Sequence, residues 1–370
     1  MRRLPFLIAL LALGACSGVP APTATPSAPT QAPTTAPTGQ NLPFGTLILN
    51  QLNNRIAQTP EGKIITLSDD QFGVRGSSDG RYGVIFSSIG GGQNLVLADY
   101  STTPPTTTNI PEGIGFGGPV IVWQPDASGF AFYDFPLTGV RTTPRILWYY
   151  DLASGQSRRL IEEDAQSTRV PSAVAFSPDG RYLLYSYVDD SAEGVGGGSA
   201  GFVLNMDGGQ PIPLPREALF GFAGWLKDSS GFMTLRSDPQ TGRGSVTVYF
   251  LRDLDAPVLI TPQGASDSLV SCAPSGRRLV VASVPRGSTD ANIYMVDLAS
   301  DALNARRMLT SYTGGTTPSI TSLIWGNDGI YFSLSRAATS SLDTTWRMDL
   351  DGKNATQLAQ GTLLNIVGVR

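Results

Sequence analysis

Histidine is absent from all 370 residues. Its absence excludes a Ser-His-Asp triad, a Cys-His pair, His-ligated metal and imidazole general-base chemistry. Cysteine is nearly absent as well, with Cys16 and Cys272 the two copies, so no disulfide framework holds the chain. Charge is sparse: Asp, Glu, Lys and Arg make up 15% of the residues, against roughly 25% in an average soluble domain. With Arg2 and Arg3 set aside, because they lie in a segment expected to be removed, 24 basic side chains face 30 acidic ones and the net charge is about −6. That sign opposes nucleic-acid binding, which needs clustered Lys and Arg to neutralise phosphates.

Gly, Ser, Thr and Pro fill the place of the missing charge, a turn-rich balance typical of all-β chains, while 41% hydrophobic content suffices for a substantial core. The chain opens MRRLPFLIALLALGAC, a basic start (Arg2, Arg3) followed by an apolar run over 4–13. Such a run is too short for a permanent membrane-spanning helix and reads as a signal peptide over 1–15. From 16 to 43 the sequence is dense in Pro, Thr and Ala. Frequent proline forbids helix and sheet ladders and favours extended polyproline II, so this segment is expected to be a stalk some tens of ångströms long, at roughly 3.1 Å per residue.

Past residue 44, short strand-like runs recur around tight turns. VRGSSDGRYGVIFSS (from Val74), VWQPDASGFAFYDF (from Val122), VAFSPDGRYLLYSY (from Val174), GWLKDSSGFMTLRS (from Gly224), VSCAPSGRRLVVAS (from Val270) and IWGNDGIYFSLS (from Ile324) align. Their closing glycines, Gly80, Gly129, Gly180, Gly231, Gly276 and Gly329, are 45 to 53 residues apart. A steady period near fifty made of short strands is the signature of a propeller blade. Within each repeat, strand a precedes the turn and strand b follows. A third run such as ILWYYDL (146–152), NIYMVDL (292–298) or TWRMDL (345–350) supplies strand c, and RRLI (from Arg158), RRML (from Arg306) or TQLA (from Thr356) supplies strand d. Residues 45–67 hold strands b, c and d without an a, and LLNIVGVR (363–370) is a lone strand. Pairing them completes a seventh blade and removes exposed sheet edges. The fold expected is all-β: a seven-bladed β-propeller over 44–370, four antiparallel strands per blade, closed by N- and C-terminal strands sharing one blade. Six blades plus an N-terminal extension is the alternative.

Leu13-Gly14-Ala15-Cys16 resembles the lipobox of bacterial lipoproteins, which implies lipidation of Cys16 and an exported chain anchored by acyl groups in the cell membrane or outer membrane, propeller facing the extracytoplasmic side. With Cys16 lipidated, no intramolecular disulfide remains possible. The SPDGR turn, the "IY-V-D" strand and the "RRL" strand resemble the WD-repeat-like blades of the TolB propeller and of the propellers that cover prolyl oligopeptidase-type enzymes. The resemblance spans about 45–370 and implies the fold, while that family hosts many activities. The chain departs from both relatives, since neither a hydrolase domain nor the N-terminal domain of TolB is expected.

The candidate chemical residues read mostly as structure. Asp99, Asp151, Asp253, Asp297 and Asp349, with Asn205 and Thr59, fall at strand-c ends, where Asp and Asn accept bonds from the following turn. The turn aspartates Asp79, Asp126, Asp179, Asp228 and Asp328 do not follow the sialidase Asp-box, since Asp179 and Gly180 are adjacent. Cys272 occupies the slot held by Trp123, Phe176, Trp225 and Trp325, and a buried inert thiol is expected there. The b–c connections at 136–144, 189–200 and 237–245 are long in consecutive blades and share one rim, which is where binding is usually placed. In the second, Asp189, Asp190 and Glu193 form the candidate binding loop. Their oxygens are of the kind that ligate Ca²⁺, but a solvated acidic loop is expected.

No catalytic residue, metal site or cofactor is called for. The expected function is that of a membrane-anchored, non-enzymatic propeller, a monomer presenting one rim to a protein or glycan partner. The alternatives are a glycoside hydrolase or lyase with two or three carboxylates at the channel mouth, and a TolB-like component of an envelope complex.

Overall fold

The strands of this chain read as near-continuous apolar runs rather than as alternations, and the computed structural model explains why. It describes residues 34–35, 45–51, 54–67, 76–89, 92–114, 120–133, 144–164, 167, 169–189, 200–215, 218, 221–298, 306–312, 319–335 and 343–366. Four N-terminal strands come first: β1 (Thr34–Thr35), β2 (Leu47–Gln51), β3 (Asn54–Gln58) and β4 (Ile64–Thr66). Blade 1 follows with β5 (Tyr82–Ile89), β6 (Gly92–Asp99) and β7 (Thr106–Ile114), and a Gly76–Gly83 bridge marks its inner position. Blade 2 is β8 (Val122–Trp123), β9 (Gly129–Tyr133), β10 (Arg145–Asp151) and β11 (Gln156–Glu163). Blade 3 is β12 (Arg169–Phe176), β13 (Tyr182–Asp189), β14 (Gly201–Asn205) and β15 (Ile212–Pro213). Blade 4 is β16 (Phe222–Trp225), β17 (Gly231–Ser237), β18 (Gly244–Phe250) and β19 (Asp253–Leu259). Blade 5 is β20 (Ser266–Cys272), β21 (Arg278–Val284), β22 (Asn292–Asp297) and β23 (Arg306–Met308). Blade 6 is β24 (Ser319–Trp325), β25 (Ile330–Ser335), β26 (Thr344–Met348) and β27 (Thr356–Gln360).

The last strand, β28 (Thr362–Ile366), pairs antiparallel with β2, so blade 7 runs β28-β2-β3-β4, with β1 parallel to β4 outside it. The seven-bladed propeller closed by strands from both ends is therefore the fold observed, three strands from one terminus and one from the other. Among the described residues no helix is long and apolar enough to cross a membrane.

Each blade packs its faces on two neighbours, so the apolar core is divided into slabs between blades. In β21, five consecutive residues from Leu279 to Ser283, in the order Leu-Val-Val-Ala-Ser, are buried because both faces of the strand are covered. The outermost strand β19 is exposed or half-exposed throughout. Phe130, Phe132, Phe232 and Phe332 are fully buried on strands b of blades 2, 4 and 6, each contributing about 1.5–3 kcal/mol of transfer free energy.

The S-P-D-G turn is built by its own side chains. The Ser177 hydroxyl donates to Asp179 Oδ1 at 2.6 Å and accepts the Tyr182 N–H at 2.9 Å, while Gly180 sits at φ 73°. Ser77, Asp79 and Tyr82 repeat the arrangement in blade 1. The closing glycines prove to be two classes. Gly80, Gly180 and Gly276 hold the left-handed turn position, which Ala127 and Ser229 hold in blades 2 and 4 at φ 58° and 59°. Gly129 and Gly231 lie two residues later, at the start of strand b, where the carbonyls of Tyr150 and Tyr249 come too close for a side chain.

Candidate functional sites at the rim and in the channel

Several sequence candidates lie outside the described residues: Cys16 with the 1–15 signal, most of the 16–43 stalk, Asp190 and Glu193. Asp189 closes β13, paired in register with Arg169 of β12. The connections between strands b and c of blades 2 and 3 span 134–144 and 190–200. The third expected long connection is shorter than the sequence suggests. Strands β17 and β18 extend to Ser237 and Gly244, and 238–243 forms a tight turn in which Asp238 Oδ1 accepts the N–H groups of Gln240 and Thr241 at 2.7 and 3.1 Å.

The aspartates at strand-c ends do cap turns. Asp151 accepts the Ser154 N–H at 2.7 Å, and that bond holds its carboxyl below the usual carboxylate range. Asp99 accepts from Ser101 at 2.8 Å, and Asn205 from Asp207 at 3.0 Å. Asp253 departs from the set, because β18 ends at Phe250 and Asp253 begins strand d. Among the described residues no group of three or more Cys, Asp or Glu is placed to hold a metal ion.

Aromatic side chains gather where strands b and c of blade 3 enter the 190–199 connection. Tyr187, near the end of β13, meets Phe202, near the start of β14, edge to face with ring centroids 5.5 Å apart. Buried Tyr185 stacks on Phe202 at 5.3 Å, and the Arg169 guanidinium lies 5.7 Å from the Tyr187 ring centre. Burial, followed by a hydrogen bond with Glu163, pushes the Tyr187 hydroxyl well above its ordinary pKa, so it remains a neutral donor. Tyr187 and Phe202 are only half-buried. Half-exposed rings beside one cation and one carboxylate suit a partner that offers both apolar surface and hydrogen bonds.

The second concavity lies at the opposite end of the strands. Strands a of neighbouring blades touch around the axis, and five blades contribute to a cavity of about 350 Å³ at the a–b turn end. Phe176, Phe222, Trp225 and Met233 form its apolar wall, and Lys227 and Cys272 are its titratable groups among the described residues. Cys272 is 2% exposed and donates to the Ala273 carbonyl at 3.3 Å; burial pushes its thiol up to about 11, so it is protonated at neutral pH. Burial pushes the Lys227 ammonium down from its ordinary value. Lys227 was not singled out from sequence, although a signal exists. It stands after Trp225-Leu226 and before Asp228, where the matching turns carry Pro125, Pro178 and Pro274.

No protein-family profile matches this sequence. No curated protein matches it. Among solved structures the chain is similar to a prolyl endopeptidase, with 14% identity and a TM-score of 0.56 over 87% of this chain and 51% of that one. It therefore spans about half the length of that enzyme. It is also similar to an oligogalacturonate lyase in complex with manganese, with 18% identity and a TM-score of 0.52 over 88% of this chain and 86% of that one. A putative TolB from Agrobacterium tumefaciens matches with 18% identity and a TM-score of 0.42 over 69% of this chain and 84% of that one. At such identities the likeness to the first two establishes the β-propeller fold alone.

Proposed function

We propose that this chain is a lipid-anchored, extracytoplasmic β-propeller that carries out no catalysis and binds a protein or glycan partner through one rim, as a monomer at the cell envelope. The observation that carries the binding site is the half-exposed Tyr187–Phe202 pair with Arg169 and Glu163, at the base of the 190–199 connection. A strand end needs no such rings to turn, whereas aromatic faces stack on sugars and fill pockets in protein interfaces. A glycoside hydrolase needs two carboxylates flanking the scissile bond. The described lining of the channel cavity contributes none, which favours binding over catalysis. The anchor rests on Cys16 and the residues before it.

Two measurements test this reading. Metabolic labelling with a fatty acid should tag the wild type and not Cys16→Ser; labelling of both would end the anchor. Capture of envelope proteins and glycans by the full chain should fall about tenfold or more for Tyr187→Ala combined with Phe202→Ala, the loss of a typical aromatic hot spot. Unchanged capture by that variant would remove the rim site.

A further inference from the structure

The channel cavity contains a residue that the repeat does not require. Four equivalent turn positions, Ser78, Pro125, Pro178 and Lys227, line it from blades 1 to 4. At that position the turn needs only a backbone φ near −65°, which proline supplies without a donor or a charge. Blade 4 instead places a lysine in the lining that also includes Phe222, Trp225 and Met233. Among the described residues Lys227 forms no ion pair, and its neighbour Asp228 accepts from Ser230 at 2.6 Å and stands against Gly276. A half-buried cation without an anion costs free energy that proline in the same turn would avoid. Its surroundings describe what would offset that cost. One positive charge calls for one negative charge, and the apolar walls call for an apolar body attached to it. A phosphate dianion fits poorly, since it brings a second charge and three strongly hydrated oxygens to a wall that supplies one ammonium. The cavity volume, about 350 Å³, lies at the small end of ligand pockets.

We propose that the channel cavity binds a small monocarboxylic acid with an aromatic or branched apolar body, its carboxylate on the Lys227 ammonium and its body between Phe176, Phe222 and Trp225. The site is separate from the rim, at the other end of the strands.

Calorimetric titration of the full chain with 4-phenylbutyrate and with 4-phenylbutanol tests this without any substitution. The acid should bind at least about tenfold more tightly than the alcohol, because a charge-assisted hydrogen bond contributes roughly 1.5–3 kcal/mol. Lys227→Met, with an unchanged melting temperature, should bring the acid down to the alcohol's affinity and leave the alcohol unaffected. Equal binding of acid and alcohol by the wild type would overturn the proposal, as would no binding of either at millimolar concentration, or undiminished acid binding by Lys227→Met.

Discussion

Cys272 shows how much one side chain's surroundings decide. Its slot in the repeat belongs to Trp123, Phe176, Trp225 and Trp325, and like them it packs between blades, against Leu226, Met233 and Leu279. Burial there raises the thiol to about 11. At pH 8 the thiolate fraction is then roughly a hundredfold below that of an ordinary cysteine. Peptide mapping after iodoacetamide treatment should find Cys272 labelled at least about a hundredfold more slowly in native protein than in urea. Comparable rates would show the thiol to be accessible. The raised value also sets a direction for stability. Below about pH 9 the thiol is protonated in both states and contributes nothing. Between that point and about pH 11 the unfolded chain releases a proton that the fold retains, so stability falls as pH rises. Tyr185 and Tyr331, each raised to about 12 chiefly by burial, extend the same loss to higher pH. Asp267 and Arg306 form the contrasting case. Both are buried, and their 2.7 Å ion pair, joined by Thr261 and Ser283, binds blade 5 to the end of blade 4. A charge can be buried there because its partner is buried with it.

Among elements, the a–b hairpin is the unit that repeats, and its turns also join the blades. Ser78 donates to the Pro125 carbonyl at 2.9 Å, Gln124 to the Gly180 carbonyl at 3.2 Å, and Ser229 accepts the Asp179 N–H at 3.1 Å. The hairpin glycines therefore differ in what they tolerate. A Cβ on Gly231 would stand 2.2 Å from the Tyr249 carbonyl oxygen, so neighbouring backbone must move. Gly231→Ala should lower stability by about 2–4 kcal/mol, the range of overpacking plus backbone displacement. Gly242, at φ 68° with open space around it, has only the left-handed conformation to lose, and Gly242→Ala should cost about 1 kcal/mol. Chemical denaturation of the two variants compares them directly; a smaller cost at Gly231 would contradict the close approach. The alignment of glycines by sequence alone merges these two classes, because an Asp-Ala-Ser-Gly and an Asp-Gly-Arg-Tyr turn place glycine at different points of the same path.

At the scale of the whole molecule, closure rests on β28. Leu363 and Ile366 are buried with Leu47, Leu49 and Ile56, so one C-terminal strand forms the inner edge of a blade otherwise built from the N-terminal region. Truncation after Gln360 should leave β2 as an open inner edge, lower the melting temperature by about ten degrees or more and promote association. A truncated chain that melts like the full one would show that closure contributes little. The ring also sets the two concavities apart: connections of strands b and c share one face, and the a–b turns share the other. The rim aromatics and the Lys227 cavity therefore do not compete for one surface.

By itself the sequence determined the repeat, the strand runs and the shared closing blade. The strand runs depend on local alternatives, such as turn residues that fix φ and apolar runs that must be buried, while the repeat and the closing blade are read by comparing such segments along the whole chain. It also determined the absence of imidazole chemistry, since no fold can supply a missing side chain. Only the tertiary structure decided what the turns look onto. Ser78, Pro125, Pro178 and Lys227 are far apart along the chain and become one wall because successive blades rotate about a common axis. Burial acts in the same way. Whether Tyr187 serves as a rim surface, Lys227 as a cation without an ion-pair partner among the described residues, or Asp267 as half of a clamp is set by neighbours from other strands, some in the same blade and some in the next. A residue's charge is local information, but the cost of desolvating it, and what offsets that cost, belong to the assembled ring.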